Sequence, residues 1–306
     1  MPDYGHDLRF GSFITPMADQ VVDRAGAAAV VAERVGFDLV TFQDHPYQRR
    51  FVDTWTLLSF VAARTERVRL AGNVLNLPLR LPAVLAKSVA TLDLLSGGRV
   101  ELGLGAGAFW DAIEAYGGRR LSPGESVTAL SEAIDVIRGI WGETDLRDAR
   151  DGMFYAARGA KPGPAPAHGV EIWLGAVKPR MLRLVGRKAD GWLPSFSRMT
   201  DAQLASGNAA IDEAAEAAGR EPGSIRRLAN VPGRFGPPTD GRLDGPVEQW
   251  VDQLTDLALQ HGFSTFILAG DDVGAYERIA HEVIPAVRAA VQRERGSRGG
   301  WAQLRL

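Results

Sequence analysis

The chain has 306 residues, of which 45 % are hydrophobic and 24 % charged, and its formal net charge at pH 7 is −2. This composition is typical of a globular protein, and the small charge gives no argument for binding nucleic acid or an anionic membrane. The absence of cysteine excludes disulfides, thiolate metal sites and a cysteine nucleophile. The first residues lack a signal-peptide pattern, and no apolar run is long enough to span a bilayer, so we expect a cytoplasmic location.

Strand and helix patterns alternate along the chain. Short β-branched and apolar runs predict strands, and longer segments with apolar residues at helical spacing predict helices. Residues 67–108 are the clearest unit, because Pro82 suits a first helical turn and Gly97 a helix end. In chain order, the predicted strands are residues 8–14, 38–42, 68–75, 99–104, 171–174, 191–194, 224–231 and 264–268, and the predicted helices are residues 18–35, 54–64, 81–95, 125–141, 179–188, 201–218, 247–261 and 273–294.

Eight strand–helix alternations in this length predict a single (β/α)8 TIM barrel over residues 1–294, with insertions at the carboxyl ends of the strands. Residues 143–169 are rich in glycine and proline and too long for an ordinary connection. We therefore expect them to form a functional insertion across the top of the barrel. Residues 295–306 are expected to be a disordered tail.

The active site of such a barrel lies at the carboxyl ends of its strands. His45 has the most suggestive setting of the five histidines, because it follows a predicted strand directly after Asp44. From the residues alone, this pair fits a structural hydrogen bond as well as proton transfer. The same rule nominates further candidates, which are Ser12, Phe13, Asn73, residues 105–108, residues 175–178, Ser195, Asn230 and Gly270.

Other enzyme classes find little support in the sequence. A metal-dependent hydrolase needs several converging ligands, but the chain has no His-x-His pair and no histidine at the other strand ends, so we expect no metal. A serine hydrolase is disfavoured because no Gly-x-Ser-x-Gly elbow occurs. The glycines between Gly103 and Gly107 do not have the spacing of a Rossmann dinucleotide fingerprint.

Several stretches resemble the bacterial luciferase-like family of flavin- and deazaflavin-dependent oxidoreductases. The main match is LDLLSGGR at residues 92–99, followed by ELGLGAG at residues 101–107. The other matches are GFD at residues 36–38 leading to Asp44 and His45, residues 70–79, and IWLG at residues 172–175 followed by ADGW at residues 189–192. The resemblance covers roughly residues 8–290 and implies an oxidoreductase or monooxygenase on a TIM barrel.

The resemblance also implies a cofactor site. One half of a phosphate cradle would be formed by the backbone N–H groups of Ala106, Gly107 and Ala108. The other half would lie at the start of a helix, whose dipole favours an anion, and would consist of Gly175, Ala176, Val177 and Lys178. Family members carry a bulge at the end of strand three, often with a cis peptide, that presses against the cofactor ring. Here that bond is Asn73–Val74.

Catalytic and substrate residues follow from the same resemblance. His45 matches the position of a proton-transfer residue in some deazaflavin enzymes, and we expect Asp44 or a backbone group to orient it. An apolar slot for the substrate would be lined by Phe13, Tyr47, Phe109 and Trp110. The sugar-phosphate dehydrogenases of the family have a glutamate where this chain has Ala108, so an apolar or aromatic substrate is expected.

Coenzyme F420 and flavin mononucleotide (FMN) share this site in the family. Abundant arginine, alanine and glycine with scarce lysine suggest a high-GC genome, where deazaflavin enzymes are common, and therefore favour F420. The alternatives are an FMN-dependent monooxygenase, which would need a flavin reductase as partner, and a flavin-binding protein without turnover. We also expect a homodimer formed through helices two and three. Arginines that could meet the oligoglutamate tail of F420 are Arg49, Arg50, Arg180 and Arg183.

Overall fold

Strands and helices alternate in the computed structural model, which describes residues 3–196, 199–270 and 272–303. The strands are β1 (Arg9–Ile14), β2 (Leu39–Phe42), β3 (Arg69–Gly72), β4 (Leu75–Asn76), β5 (Val100–Gly105), β6 (Ile172–Leu174), β7 (Gly191–Trp192), β8 (Arg226–Pro232), β9 (Arg234–Phe235), β10 (Asp244–Gly245) and β11 (Thr265–Ala269). The α-helices are α1 (Ala27–Val35), α2 (Thr54–Ala62), α3 (Pro82–Ser96), α4 (Trp110–Ala115), α5 (Pro123–Trp141), α6 (Pro179–Lys188), α7 (Asp201–Ala217), α8 (Val247–Leu259), α9 (Val273–Arg278) and α10 (Ile284–Gln303).

The main sheet closes into a barrel. Its strand order is β3-β2-β1-β11-β8-β7-β6-β5-β4, and an additional pairing of β3 with β5 joins the two ends. Neighbouring strands are parallel throughout this sheet. Because β3 and β4 share one position, the barrel has eight strand positions. The predicted (β/α)8 TIM barrel is confirmed.

Two apolar layers explain why the strands read as continuous hydrophobic runs. Side chains on the outer face of the barrel, such as Phe10 and Ile14 of β1, belong to the large core shared with the helices. Side chains on the inner face form a smaller cluster that fills the barrel beneath its carboxyl-terminal mouth. This inner cluster consists of Leu39, Ala71, Trp173, Leu193, Leu228 and Ile267, with Phe13 and Val74 packed against it.

Several elements differ from the predicted boundaries. The predicted strand 68–75 is interrupted between Gly72 and Leu75, and the predicted helix 18–35 begins with a π-helical turn over Val22–Gly26. Helix α4 occupies part of the segment that reads as a loop in the sequence, and α10 extends to Gln303. Residues 295–303 are thus helical where a disordered tail was expected, and residues 304–306 lie outside the described residues.

The insertion at residues 143–169 follows α5 and leads into β6, so it starts and ends near the amino-terminal ends of the strands. Its middle part packs on α5, where the Glu132 carboxylate accepts hydrogen bonds from the N–H groups of Met153, Phe154 and Tyr155. Phe154 and Tyr155 also line a cavity with the loops that follow β4 and β5, so the insertion reaches the carboxyl-terminal side of the barrel at this edge. Its passage across the mouth stays a prediction.

A charged cluster binds the end of this insertion to the amino-terminal side of the barrel. His168 Nδ1 lies 3.0 Å from the buried carboxylate of Asp93, and its Nε2 lies 3.5 Å from Glu101 and 3.0 Å from Arg69 Nη1. The hydrogen bonds to Glu101 and Asp93 raise the pKa of His168, because the two carboxylates outweigh the desolvation of the ring.

The raised pKa of His168 predicts a pH-dependent contribution to stability. The stabilisation should be fully present below the unfolded pKa of about 6.5 and lost as pH rises through the folded pKa, which is higher. We expect His168→Asn to lower the free energy of unfolding by about 1 to 2 kcal/mol at pH 5.5 and by much less at pH 9. Thermal or denaturant unfolding at both pH values measures this. His281→Asn, at an exposed histidine, is the matched control, and a pH-independent loss in His168→Asn would contradict the assignment.

Candidate active site

Polar side chains meet at the carboxyl ends of four barrel strands. Asn73 and Asn230 form a reciprocal pair, in which each amide donates to the other's carbonyl oxygen over 2.7 and 3.0 Å. The Asn73 amide also donates to the hydroxyl of Thr41, which donates in turn to the carbonyl oxygen of Ser12. These contacts connect strand ends on opposite sides of the barrel and form a polar floor for its mouth.

The interruption of strand three brings the backbone into this mouth. The Asn73–Val74 bond is a non-proline cis peptide, as the family resemblance implied. Val74 packs beside the ends of β5 and β6, where a Cβ on Gly105 would lie 2.8 Å from the Val74 side chain. The glycine at the end of β5 therefore leaves the space that Val74 occupies.

Two loops beside Val74 expose backbone N–H groups. Gly107 has a φ of +95°, and a Cβ at this position would lie 2.8 Å from Pro78 and 2.9 Å from Trp110, so only glycine fits. Among the described residues, the N–H groups of residues 107 and 108 and of residues 177 and 178 have no backbone or side-chain acceptor. Lys178 is exposed at the N-cap of α6. Such an arrangement suits a phosphate group.

A buried oxygen indicates that the mouth is built for a polar ligand. Asn76 Oδ1 is buried and has no hydrogen-bond partner among the described residues. Ser12 Oγ is also unpaired, but Ser12 alternates with Phe10 and Ile14 along β1 and so faces the helices. Buried polar atoms are normally satisfied, so the Asn76 oxygen is available to a bound molecule. A phosphate-bearing cofactor with a polar ring system therefore fits the residues at this end of the barrel.

His45 lies on an aromatic wall of the mouth. Its Nδ1 is 2.7 Å from the hydroxyl of Tyr47, and its ring meets the edge of Phe109 at a centroid distance of 5.4 Å. Tyr116, in the turn after α4, contacts Tyr47 in turn. Burial lowers the pKa of His45, and the opposing effect of Asp44 is smaller. The ring is therefore neutral near pH 7, so it can accept a proton or, from its N–H, donate one.

Asp44 does not orient His45 as expected. Its buried carboxylate accepts a hydrogen bond from the backbone N–H of Asn76 at 2.8 Å and forms an ion pair with Arg80 at 3.0 Å. Arg80 also contacts the more exposed Asp53, which caps α2. Asp44 thus fixes the chain after the strand-three interruption, and the hydroxyl that contacts His45 belongs to Tyr47.

The predicted substrate residues are not all in one place. Tyr47 and Phe109 lie together beside His45, whereas the Trp110 ring packs against Gly107, and Phe13 lies with Val74 in the inner cluster. Tyr116 and Arg80 were missed by the sequence analysis. The sequence analysis nominated Asn230 only because it lies at the end of a predicted strand. Asn73 has the same kind of position, and this shared position is the signal from which their pairing could have been predicted.

The described residues contain no group of three or more histidine, aspartate or glutamate side chains arranged to hold a metal ion. No helix among them has the length and apolar character needed to cross a membrane. The molecule is thus a TIM-barrel protein whose mouth has free N–H groups suited to a phosphate-bearing organic molecule.

Comparison with known proteins identifies the family. The chain matches the luciferase-like monooxygenase family over residues 5–302, and it belongs to that family. It is 34 % identical over 212 residues to an F420-dependent glucose-6-phosphate dehydrogenase of Nocardia farcinica (strain IFM 10152), an alignment that covers 66 % of this chain and 62 % of that protein. It is 37 % identical over 226 residues to a phthiodiolone/phenolphthiodiolone dimycocerosates ketoreductase of Mycobacterium sp. (strain JLS), with 72 % of this chain and 55 % of that protein covered.

Each alignment thus spans less than two thirds of the relative's length. A solved structure, an F420-dependent secondary alcohol dehydrogenase in complex with an F420-acetone adduct, superimposes with a TM-score of 0.79. The superposition covers 92 % of this chain and 99 % of that one, at 21 % sequence identity. At this identity the likeness supports the fold alone.

Proposed function

We propose that the protein is an F420-dependent oxidoreductase acting on an apolar or aromatic organic substrate. The observation that carries the proposal is the convergence of three features at one mouth, namely loops with free N–H groups, the Val74 backbone and a neutral histidine. The Asn73 N–H donates to the carbonyl oxygen of Phe42 at the end of β2, and this bond ties the interruption to the strand that leads to His45. The F420-dependent enzymes among the relatives support the choice of cofactor.

The chain's own residues would hold the cofactor at two ends. Lys178 and the backbone of residues 106–108 and 175–178 would bind its phosphate, because they combine a cation with the free N–H groups of residues 107, 108, 177 and 178 at a helix start. The Gly175 N–H is engaged by the carbonyl oxygen of Leu104, so this residue would contribute space rather than a donor. The backbone at Asn73 and Val74 would support the ring, and Asn76 would offer a buried hydrogen-bonding oxygen to its polar edge. When bound, coenzyme F420 supplies two-electron hydride transfer.

His45 would handle the proton that accompanies this transfer. A neutral imidazole at the rim of the mouth can take a proton from an alcohol, or as an imidazolium deliver one to a carbonyl oxygen. Tyr47 holds Nδ1 and so directs Nε2 away from the tyrosine. The rings of Phe109 and Tyr116 are more than half exposed and give this side of the mouth an apolar surface.

The substrate class is inferred from the residues that form the aromatic wall beside His45. Ala108 stands at the position where the resemblance implies a glutamate in the sugar-phosphate dehydrogenases, and it is exposed. Phe109, which is 54 % exposed, follows it and presents an apolar surface that a sugar phosphate would not use. We therefore propose an uncharged organic substrate, although glucose-6-phosphate dehydrogenases are among the relatives.

Cofactor binding is the decisive test. We expect F420 to bind the purified protein at least tenfold more tightly than FMN, a difference of about 1.4 kcal/mol. Both dissociation constants can be measured by titrating the protein with each cofactor and monitoring the quenching of tryptophan fluorescence. Lys178→Ala should weaken the binding of F420 roughly three- to thirty-fold. Tighter binding of FMN would replace the proposal with an FMN-dependent monooxygenase served by a flavin reductase. F420 binding without hydride transfer to any substrate would leave a non-catalytic binding protein.

The role of His45 is tested by its replacement. His45→Ala should lower turnover by roughly 10²- to 10⁴-fold, the usual loss for a general acid or base, and should leave the cofactor dissociation constant nearly unchanged. In the direction of alcohol oxidation, wild-type kcat/KM should rise through a pKa below about 6.5 and then level off, because burial lowers the pKa of His45.

Tyr47→Phe is the matched variant, since it keeps the aromatic wall and removes only the hydroxyl at Nδ1. It should move the pKa of the kcat/KM profile while leaving cofactor binding intact. Full turnover in His45→Ala with an authentic substrate would return this residue to a structural role.

We also propose a homodimer that buries the groove between α2 and α3. This groove of about 510 Å³ is lined mainly by apolar residues, including Trp55 and Leu95. Leu81, Val84 and Leu95 are 68 %, 61 % and 80 % exposed, which is unusual for a row on one helix. Light scattering at micromolar concentration should give twice the monomer mass, and Val84→Glu should halve it, whereas a monomeric wild type would refute the proposal. A cytoplasmic location stays a prediction from the sequence.

A further inference from the structure

Tyr47 connects His45 to a third side chain, that of Asn76. The Tyr47 hydroxyl lies 2.7 Å from His45 Nδ1, and either group could donate this hydrogen bond. Burial raises the pKa of Tyr47, and a hydrogen bond with the Asn76 side chain opposes this rise. A hydrogen bond that lowers the pKa of a tyrosine is one that the phenolic oxygen accepts, because it stabilises the phenolate. The Asn76 amide therefore donates to Tyr47.

The unpaired oxygen of Asn76 decides which group donates to His45. Asn76 Oδ1 accepts no hydrogen bond from any described residue, so the proton of the Tyr47 hydroxyl is not directed at the asparagine. The other acceptor beside this hydroxyl is His45 Nδ1. A hydroxyl has one proton to donate and can accept at its oxygen at the same time. Tyr47 thus accepts from Asn76 and donates to His45.

We propose that Asn76, acting through Tyr47, holds the neutral ring of His45 in the tautomer that carries its proton on Nε2. This inference rests on the proposed function, because it concerns the residue to which proton transfer is assigned there. Asn76 acts through another side chain and is therefore a positioning residue. Its effect is that the resting imidazole offers the mouth a hydrogen-bond donor, which the oxygen of a carbonyl or alcohol substrate can accept.

Asn76 is held rigidly enough for this role. It is 7 % exposed and lies in β4, where it pairs with Gly105 at the end of β5. Its backbone N–H donates to the Asp44 carboxylate at 2.8 Å, and Asp44 forms an ion pair with Arg80. Orienting the amide of a residue that is already fixed at its backbone costs little further conformational entropy. The tautomer of His45 therefore depends on the same interrupted strand that would support the cofactor ring.

The charged groups around the imidazole leave this control to Tyr47 and Asn76. Burial lowers the pKa of His45, and the Asp44 carboxylate raises it by less. The hydrogen bond from Tyr47 to the neutral ring acts in the same direction as burial, because protonation of Nδ1 would force the hydroxyl to turn and accept. The charged side chains on the neighbouring elements are engaged with one another, which applies to Asp44, Asp53 and Arg80 and, at α4, to Asp111, Glu114 and Arg120.

Asn76→Asp tests the inference, because it replaces a donor with a group of the same shape that only accepts. Tyr47 should then donate to the new carboxylate and accept from His45 Nδ1. The measurement is the nitrogen-15 spectrum of histidine-labelled protein without cofactor, near pH 8, in which protonated and unprotonated ring nitrogens have well-separated shifts. His45→Ala assigns the signals of this residue among those of the five histidines.

We expect the proton of the neutral ring to lie on Nε2 in the wild type and on Nδ1 in Asn76→Asp. The variant should also raise the pKa of His45 by about one pH unit, because Tyr47 can then accept from the imidazolium. A titration of the same spectra and the pH profile of kcat/KM both measure this rise. Tyr47→Phe/Asn76→Asp is the matched control, since it keeps the carboxylate and removes the hydroxyl that transmits its effect. The inversion of the tautomer should be absent from this double variant.

Three results would overturn the inference. The first is a wild-type ring with its proton on Nδ1, a result that does not depend on whether any variant folds. The second is an unchanged tautomer in folded Asn76→Asp, and the third is an inversion that persists in the double variant. The spectra are recorded without cofactor, so they are independent of the cofactor titration. Tighter binding of FMN would therefore remove the proposed function and leave the tautomer assignment standing, whereas a wrong tautomer would leave the cofactor assignment untouched.

Discussion

The close approach of the interrupted strand three to its neighbours is the constraint on which the mouth of the barrel depends. A Cβ on Gly103 would lie only 2.2 Å from the carbonyl oxygen of Gly72, and one on Gly105 would press on Val74. Any side chain at these positions would push the interruption away from β5 and out of the mouth. Because Asn73 pairs with Asn230 on the other side, such a movement would also open the polar floor. The glycine-rich end of β5 therefore shapes the whole site, in addition to offering N–H groups to a phosphate.

The interrupted strand also marks the limit of what could be predicted about the fold from the sequence. Apolar periodicity and helix-ending glycines were sufficient for the barrel, because the barrel strands are buried on both faces and the helices around them bury one face. Residues 68–75 showed only a glycine break within a strand pattern, and the family resemblance was needed to locate the interruption. The path of the insertion could not be derived from its composition. Its ends lie on the amino-terminal side because it joins a helix to the next strand, whereas residues 154 and 155 reach loops of the other side.

The site was predicted less completely, because its contacts join residues that are distant in the chain. Adjacency suggested that Asp44 serves His45, but neighbouring side chains along an extended chain point in different directions. The actual partner, Arg80, is 36 residues away, and nothing in the local pattern indicates it. Tyr116 was missed for a similar reason, since it follows a short helix in a segment that looked like a loop. Sequence motifs were enough to nominate the cradle residues and His45. The residues that contact them could be identified only from the three-dimensional structure.

The pairing of Asp44 with Arg80 also determines the chemistry available at His45. An unbalanced carboxylate one residue away would raise the pKa of the imidazole, but here its charge is offset by a guanidinium and a backbone N–H. Burial therefore dominates, and the pKa of His45 falls. The side chains that contact the ring, those of Tyr47 and Phe109, carry no charge at pH 7, and the nearest guanidinium is already engaged. An uncharged carbonyl or alcohol would therefore lose little on approaching His45, because the side chains that contact the imidazole carry no charge. The free N–H groups near Gly107 and Lys178, by contrast, suit an anion.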